Sequence, residues 1–251
     1  MDHVAIDLGG KESQICVRAA DGTILEEKRV PTIGLKKYLA ARPASVVVVE
    51  TCAEGFAVAD HALAAGHDVK VVPASLAPSL GVGSRGLKND VRDARNLSEA
   101  SCRMARLPSV HIPTMAARER KSLCGMREGL VGARTQLINT VRGWMRGQGV
   151  GAVKKGGTDT YPHRAREHFL ARSGSAVPGY VERQLKVIEA LTLQIVDADE
   201  ELTALADSDP DCQLLMSMPG VGPVTAVRFV SAIDDPHSAS RMRIRSPLTW
   251  A

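Results

Sequence analysis

The sequence predicts a mixed α/β sheet followed by long helices, on three observations. Short alternating or wholly apolar runs fill the first 72 residues, and helical periodicity takes over after residue 89. The net charge changes sign over the same stretch: residues 1–84 carry −2, residues 85–172 carry +11 and residues 173–251 carry −5.

Taken in order, residues 3–9, 13–19 and 24–30 read as three short strands, with Asp21-Gly22 as a two-residue hairpin turn between the second and third. A helix is predicted at about 33–41. Four consecutive valines, Val46 to Val49, then mark a strand covered on both faces, as in the middle of a sheet. A helix at about 54–65 ends at Gly66, and a strand follows at 68–72. Residues 73–86 are rich in Pro, Gly and Ser and read as a loop.

Helical spacing of Val91, Ala94, Leu97, Cys102 and Ala105 predicts a helix over 89–106. An Arg-studded helix is expected from 114 to about 145, and a second long one over about 177–206. Their heptad-like spacing suggests a coiled-coil stalk, formed within one chain or between chains, with 147–157 as a Gly/Lys linker. Near the end, Met218-Pro-Gly-Val-Gly-Pro-Val-Thr-Ala reads as a helix-hairpin-helix with Pro223 at a tolerated early helical position. Gly220 and Gly222 there either let backbone N–H groups approach a phosphate or simply make a tight turn.

Composition excludes several classes. With 44% hydrophobic residues and 3% aromatics, the chain has a core of Val, Leu, Ile and Ala. No apolar run approaches the ~18 residues that span a bilayer, and Asp2 and Asp7 break any signal peptide, so a cytoplasmic protein is expected. Five scattered cysteines without a Cys-x-x-Cys pair suit reduced, mostly buried thiols and argue against zinc. The basic middle fits a bound polyanion or, equally, a solvated helical surface.

Four acidic residues carry the most chemistry. Asp7 ends one apolar run, Glu50 ends another, and Asp90 and Asp93 lie three apart in Lys88-Asn-Asp-Val-Arg-Asp-Ala-Arg. Carboxylates drawn together repel unless a cation neutralises them, and hard oxygen ligands suit Mg2+ or Mn2+. Two such ions ~4 Å apart can align both the attacking and the leaving oxygen of a phosphodiester. Taken singly, each acid can be a solvated residue, and Lys88, Arg92 and Arg95 can be ion-pair partners of the Asp90/Asp93 pair.

A strand-end Asp, a strand-end Glu after three strands and a helix, then Asp-x-x-Asp on a later helix resembles the RNase H-like, RuvC-type arrangement. The chain resembles the DEDD-type insertion-sequence transposases of the "IS one-ten" group. The resemblance rests on Ala5-Ile-Asp-Leu-Gly, Val49-Glu50-Thr51, Gly66-His-Asp-Val-Lys-Val-Val-Pro, Lys88-Asn-Asp-Val-Arg-Asp-Ala and Met218-Pro-Gly-Val-Gly-Pro-Val-Thr-Ala.

It implies that Asp7, Glu50, Asp90 and Asp93 are the metal-holding catalytic residues. Lys88, Arg92, Arg95, Gly220 and Gly222 would contact nucleic acid. The implied partners are DNA, a structured guide (bridge) RNA and further copies in a dimer or tetramer. It also implies a RuvC-like domain at 1–107, a basic helical or coiled-coil region at 108–209, and at 210–251 the start of a second transposase domain.

That second domain supplies a serine nucleophile in the family, and Ser238, Ser240 and Ser246 lack the expected neighbours, so a truncated transposase is expected. Three other readings compete: a RuvC-like junction endonuclease, a non-catalytic DNA/RNA-binding remnant, and an actin-like kinase. The kinase rests on Ile6-Asp-Leu-Gly-Gly, and its further phosphate and adenosine segments are missing.

Overall fold

Alternating apolar residues at the start of the chain become three antiparallel strands in the computed structural model, which describes residues 1–76, 79 and 90–234. They are β1 (His3–Asp7), β2 (Glu12–Arg18) and β3 (Ile24–Pro31). A turn of 3-10 helix at Thr32–Gly34 leads into α1 (Leu35–Ala40), followed by β4 (Val46–Glu50), α2 (Gly55–Ala64), β5 (Asp68–Val72) and α3 (Asp90–Arg103). The sheet order is β3-β2-β1-β4-β5, with β4 parallel to both β1 and β5. The expected mixed α/β sheet is therefore what forms. Of the expected 73–86 loop, residues 77, 78 and 80–86 lie outside the described residues.

The turn between β2 and β3 differs from the sequence expectation. Ala19 and Thr23 close a three-residue connection, with Ala19 N–H donating to Thr23 O at 2.9 Å and Gly22 N–H to Ala19 O at 3.0 Å. Gly22 takes a positive φ of 92°, so a residue without a Cβ ends the turn, and the strand register shifts at Val17/Arg18.

Each sheet face buries its own set of side chains. Val4, Ile6, Val47, Val49 and Val71 pack with Leu35 and Leu39 of α1 and Val58, Ala59 and Ala62 of α2. On the other face Ala5, Val48 and Val72 pack against Leu97 of α3. The valines of β4 are covered on both sides, as their continuous run requires. These elements belong to a compact unit, Met1–Pro113.

The second unit, Thr114–Ala251, is helical where described. It comprises α4 (Met115–Gly147), α5 (Tyr161–Ser173), α6 (Gly179–Ser208), α7 (Pro210–Met216) and α8 (Pro223–Ile233). The Thr114 side chain caps α4 by accepting from Ala117 N–H at 3.1 Å. The long helices α4 and α6 pack against each other within the chain.

Around one part of this pair, Ile138, Val141 and Met145 meet Tyr161, Ala165 and Phe169 of α5 and Val181, Leu185 and Ile188 of α6. Around another, Cys124 of α4 and Leu202 and Ala206 of α6 meet Cys212 of α7 and Ala226, Val227 and Val230 of α8. Helices from the stretches 108–209 and 210–251 thus share one core. Helix α5 has no counterpart in the sequence reading. Among the described residues, no helix is long and apolar enough to cross a membrane. Cys16, Cys124 and Cys212 are buried free thiols, whereas Cys52 is exposed.

Candidate functional site

Strand register places the first two carboxylates. The last paired residues of β1 and β4 are Ile6 and Val49, and one step further, at the same edge of the sheet, stand Asp7 and Glu50. Neighbouring strands lie ~4.8 Å apart, so the two backbones are adjacent. Side chains alternate between faces, and Ala5 and Val48 lie on the α3 face. Asp7 and Glu50, two residues on from each, share that face.

Helix α3 delivers the third carboxylate. His3 Nδ1 lies 2.7 Å from Ser101 Oγ, so the late part of α3 sits beside the start of β1 and the helix runs back along the strand. Eight residues of helix from Ser101 back to Asp93 cover ~12 Å, and four residues of strand from His3 to Asp7 cover ~13 Å. Asp93 therefore comes level with the strand ends. It is 4% exposed, on the helix face that carries Leu97 and Ser101 at four-residue steps.

Asp90 stands apart. Its Oδ2 accepts from Arg29 Nη2 on β3 at 2.6 Å, and Arg29 also faces Glu12 at 3.6 Å. Alternation along β3 sets Glu27 on the same face as Arg29, and Glu27 receives Arg95, with Nη2–Oε2 at 2.6 Å. Bonding from Arg95 holds the Glu27 carboxyl below the usual carboxylate range. The partners of Asp90 and Arg95 are thus residues of an edge strand. Arg29 was missed in the sequence reading; its signal is that Glu26-Glu27-Lys28-Arg29 sets an acid and, two residues on, a base on each face of the strand.

The loops beyond the strand ends are fixed by backbone contacts. A Cβ on Gly55 would lie 2.8 Å from Glu50 O, so only glycine lets α2 start this close to the strand end. Thr51 N–H donates to Val72 O at 2.9 Å, and Ala74 N–H to Thr51 Oγ1 at 2.8 Å. After Asp7, Thr32 Oγ1 donates to Gly9 O at 2.6 Å and lies 2.8 Å from Ser13 Oγ.

In chemistry, the carboxylates of Asp7, Glu50 and Asp93 are hard oxygen donors of the kind that divalent cations take. Among the described residues, no three His, Cys, Asp or Glu are drawn close enough together to form a group that could hold an ion.

Of the other candidate contact residues, Arg92 is exposed on α3, and Lys88 lies outside the described residues, as do Ser238, Ser240 and Ser246. Gly220 has a positive φ of 86°, and Gly222 caps α8 in an extended conformation before Pro223.

The basic middle is partly neutralised within the fold. Arg120 pairs with Asp209 at 2.8 Å and Arg127 with Asp199 at 2.6 Å. Arg166 reaches both Glu182 and Glu189, and Arg228 reaches Glu128 at 2.9 Å. The opposite charges of residues 85–172 and 173–251 meet each other in these pairs.

Comparison with known proteins identifies the family. A family model of DEDD transposases, described as "Transposase", matches residues 4–148, more than half of the chain. A second, described as "Transposase IS116/IS110/IS902 family", matches residues 212–244. The chain is 28% identical over 246 residues to the transposase for insertion sequence element IS1328 of Yersinia enterocolitica, covering 92% of this chain and 68% of that protein. It is 27% identical over 248 residues to the transposase for insertion sequence element IS1111A of Coxiella burnetii, covering 96% and 65%. The chain thus spans about two thirds of the length of these relatives. With strand-end acids, an acidic first turn of α3 and matches in both units, this chain belongs to the DEDD insertion-sequence transposases of the IS116/IS110/IS902 family.

Proposed function

We propose that this chain acts as an insertion-sequence transposase whose sheet unit is a metal-dependent strand-cutting centre, acting on DNA under the direction of a structured guide RNA. What supports it is that Asp7 and Glu50 end the adjacent central strands β1 and β4, with Asp93 in the first turn of the helix packed on that face. Asp7 and Glu50 would hold Mg2+ or Mn2+ from the strand ends, and Asp93 would close the set from α3. Asp90 would join once its carboxylate leaves Arg29. A bound divalent cation would supply charge neutralisation at the scissile phosphate and activation of the attacking hydroxyl.

The protein groups act by position. Gly55 and Thr51 keep Glu50 at the strand end, and the Ser13–Thr32 contact keeps the loop after Asp7 in place. Residues 1–107 would do the cutting. The helical region would bind guide RNA and DNA and bring copies together as a dimer or tetramer, with the long helices as its coiled-coil element. Lys88, Arg92 and Arg95 would contact the strand near the carboxylates. Gly220 and Gly222 would let the start of α8 approach a phosphate as a helix-hairpin-helix.

Mn2+ or Mg2+ titrated against branched DNA, with wild type and Asp7→Asn compared, tests this reading. Metal-dependent nicking by wild type and none by Asp7→Asn is expected. Nicking that survives Asp7→Asn would remove the carboxylates from the mechanism, and binding without nicking at any metal concentration would favour a non-catalytic nucleic-acid binder.

A further inference from the structure

Charge in the helical unit is sorted along its sequence. Residues 189–211 contain eight Asp/Glu and no Lys/Arg, and Asp199 and Asp209 within this stretch take up Arg127 and Arg120 of α4. Residues 139–172 contain seven Lys/Arg and two Asp/Glu. One of the seven, Arg166, is held between Glu182 and Glu189. The other six are Arg142, Arg146, Lys154, Lys155, Arg164 and Arg172, set against Asp159 and Glu167.

These cations lie around a loop whose shape is fixed. Arg164 donates to Lys154 O and Gly157 O, and a Cβ on Gly156 would fall 2.5 Å from its guanidinium. His168 Nε2 lies 2.9 Å from Val150 O. Two clefts flank the loop and share Ala152 and Val153. One, of about 310 Å3, is lined by Asn139, Arg142 and Arg146; the other, of about 370 Å3, by Lys154, Arg164, His168 and Arg172. Arg142 and Arg146 stand one helical turn apart, on one face. Neither lining includes Phe, Tyr or Trp, so the clefts offer charge without a platform for stacking bases.

We infer that this loop and its two clefts seat the phosphodiester backbone of a nucleic acid, independently of base sequence. The inference rests on the reading of the chain as a nucleic-acid enzyme and narrows its binding surface to one segment. Arg120 and Arg127 of α4 are structural, since their charge is spent on the α6–α7 junction and on α6. Arg142, Arg146, Lys154, Lys155, Arg164 and Arg172 are the cations of the basic middle that this loop and its clefts offer to a partner.

The test compares the full chain with a quadruple variant, Arg146→Gln, Lys154→Gln, Lys155→Gln and Arg172→Gln, whose four side chains are all exposed. A control, Lys36→Gln, Lys37→Gln, Lys121→Gln and Lys186→Gln, removes the same charge from other exposed positions. Binding to a blunt DNA duplex and to an RNA hairpin of equal length is measured against salt, with circular dichroism confirming the fold.

The quadruple variant should lower the slope of log affinity on log salt by about 3 to 4 for the duplex, each lost phosphate contact removing ~0.9. The control should lower it far less. Glu167→Gln, which removes an acid from the second cleft, should tighten binding, a gain that unfolding cannot produce. The probe that loses more affinity identifies the occupant as DNA or RNA. Equal losses in quadruple and control would overturn the inference alone. Failure of the wild-type chain to bind either probe would sink the reading beneath it as well.

Discussion

The two units hold their charged residues by different means. In the sheet unit, Asp7 and Glu50 are placed by backbone, because adjacent parallel strands in register end side by side and the pleat sends both side chains to the α3 face. In the helical unit, charge sits on long side chains, and its availability depends on what each meets. Arg120, Arg127 and Arg166 are neutralised, while Lys154, Lys155 and Arg172 are exposed around a fixed loop. A strand-end carboxylate can be located from pattern alone. An arginine's freedom cannot be read from net charge.

The largest test of that contrast is Leu185→Ala. Leu185 is fully buried among α4, α5 and α6, and its truncation should cost about 2–5 kcal/mol. Thermal melting should show a destabilised helical unit while Mn2+ binding at the sheet edge persists. Loss of metal binding as well would mean that the two units are not independently organised.

Gly55→Ala comes next. The added methyl meets Glu50 O, so the strand end must shift, at a cost of about 1–3 kcal/mol. Mn2+ affinity should fall although no carboxylate has been removed. Unchanged affinity would show that Glu50 tolerates a displaced backbone.

Arg166→Met should destabilise the helical unit by about 1 kcal/mol, since its partners are themselves part-exposed. Bonding from Arg166 holds the Glu182 carboxyl below its ordinary 4.5. Its contribution is therefore complete above that ordinary value and is lost as pH falls through the depressed one. Urea unfolding of wild type at falling pH should show an acid limb beginning near 4.5, and Arg166→Met should flatten it. An identical limb in both proteins would assign acid sensitivity elsewhere.

The smallest effect is expected from Arg29→Gln. Freed from that guanidinium, Asp90 should raise Mn2+ affinity a few-fold, read by calorimetry. Weaker binding would mean that the Arg29 contact orients Asp90 for the ion.

Much of the sheet unit was legible because its signals are local. Val46 to Val49 announced a doubly covered strand, Gly66 ended a helix, and the strand ends located Asp7 and Glu50. The Arg29–Asp90 pair was not legible, since it joins residues 61 positions apart across β3 and α3. Helix α5 escaped because its buried stripe of Tyr161, Ala165 and Phe169 is narrow and set among His163, Arg164, Arg166, Glu167 and His168. Tyr161, Ala165 and Phe169, at four-residue steps, pack it on α4 and α6, and Arg166 adds a bridge to α6 between residues distant in sequence. Net charge predicted a basic surface along the middle, and pairing with the α6–α7 junction and with α6 removes Arg120 and Arg127 from it.

Calorimetric titration of Mn2+ into the 251-residue chain and into Asp7→Asn, Glu50→Gln, Asp93→Asn and Asp90→Asn most directly tests whether the strand-end carboxylates form the metal centre. The account predicts that the first three variants lose binding, and that Asp90→Asn loses less because its carboxylate is shared with Arg29. Binding of equal strength in wild type, Asp7→Asn and Asp93→Asn would contradict it.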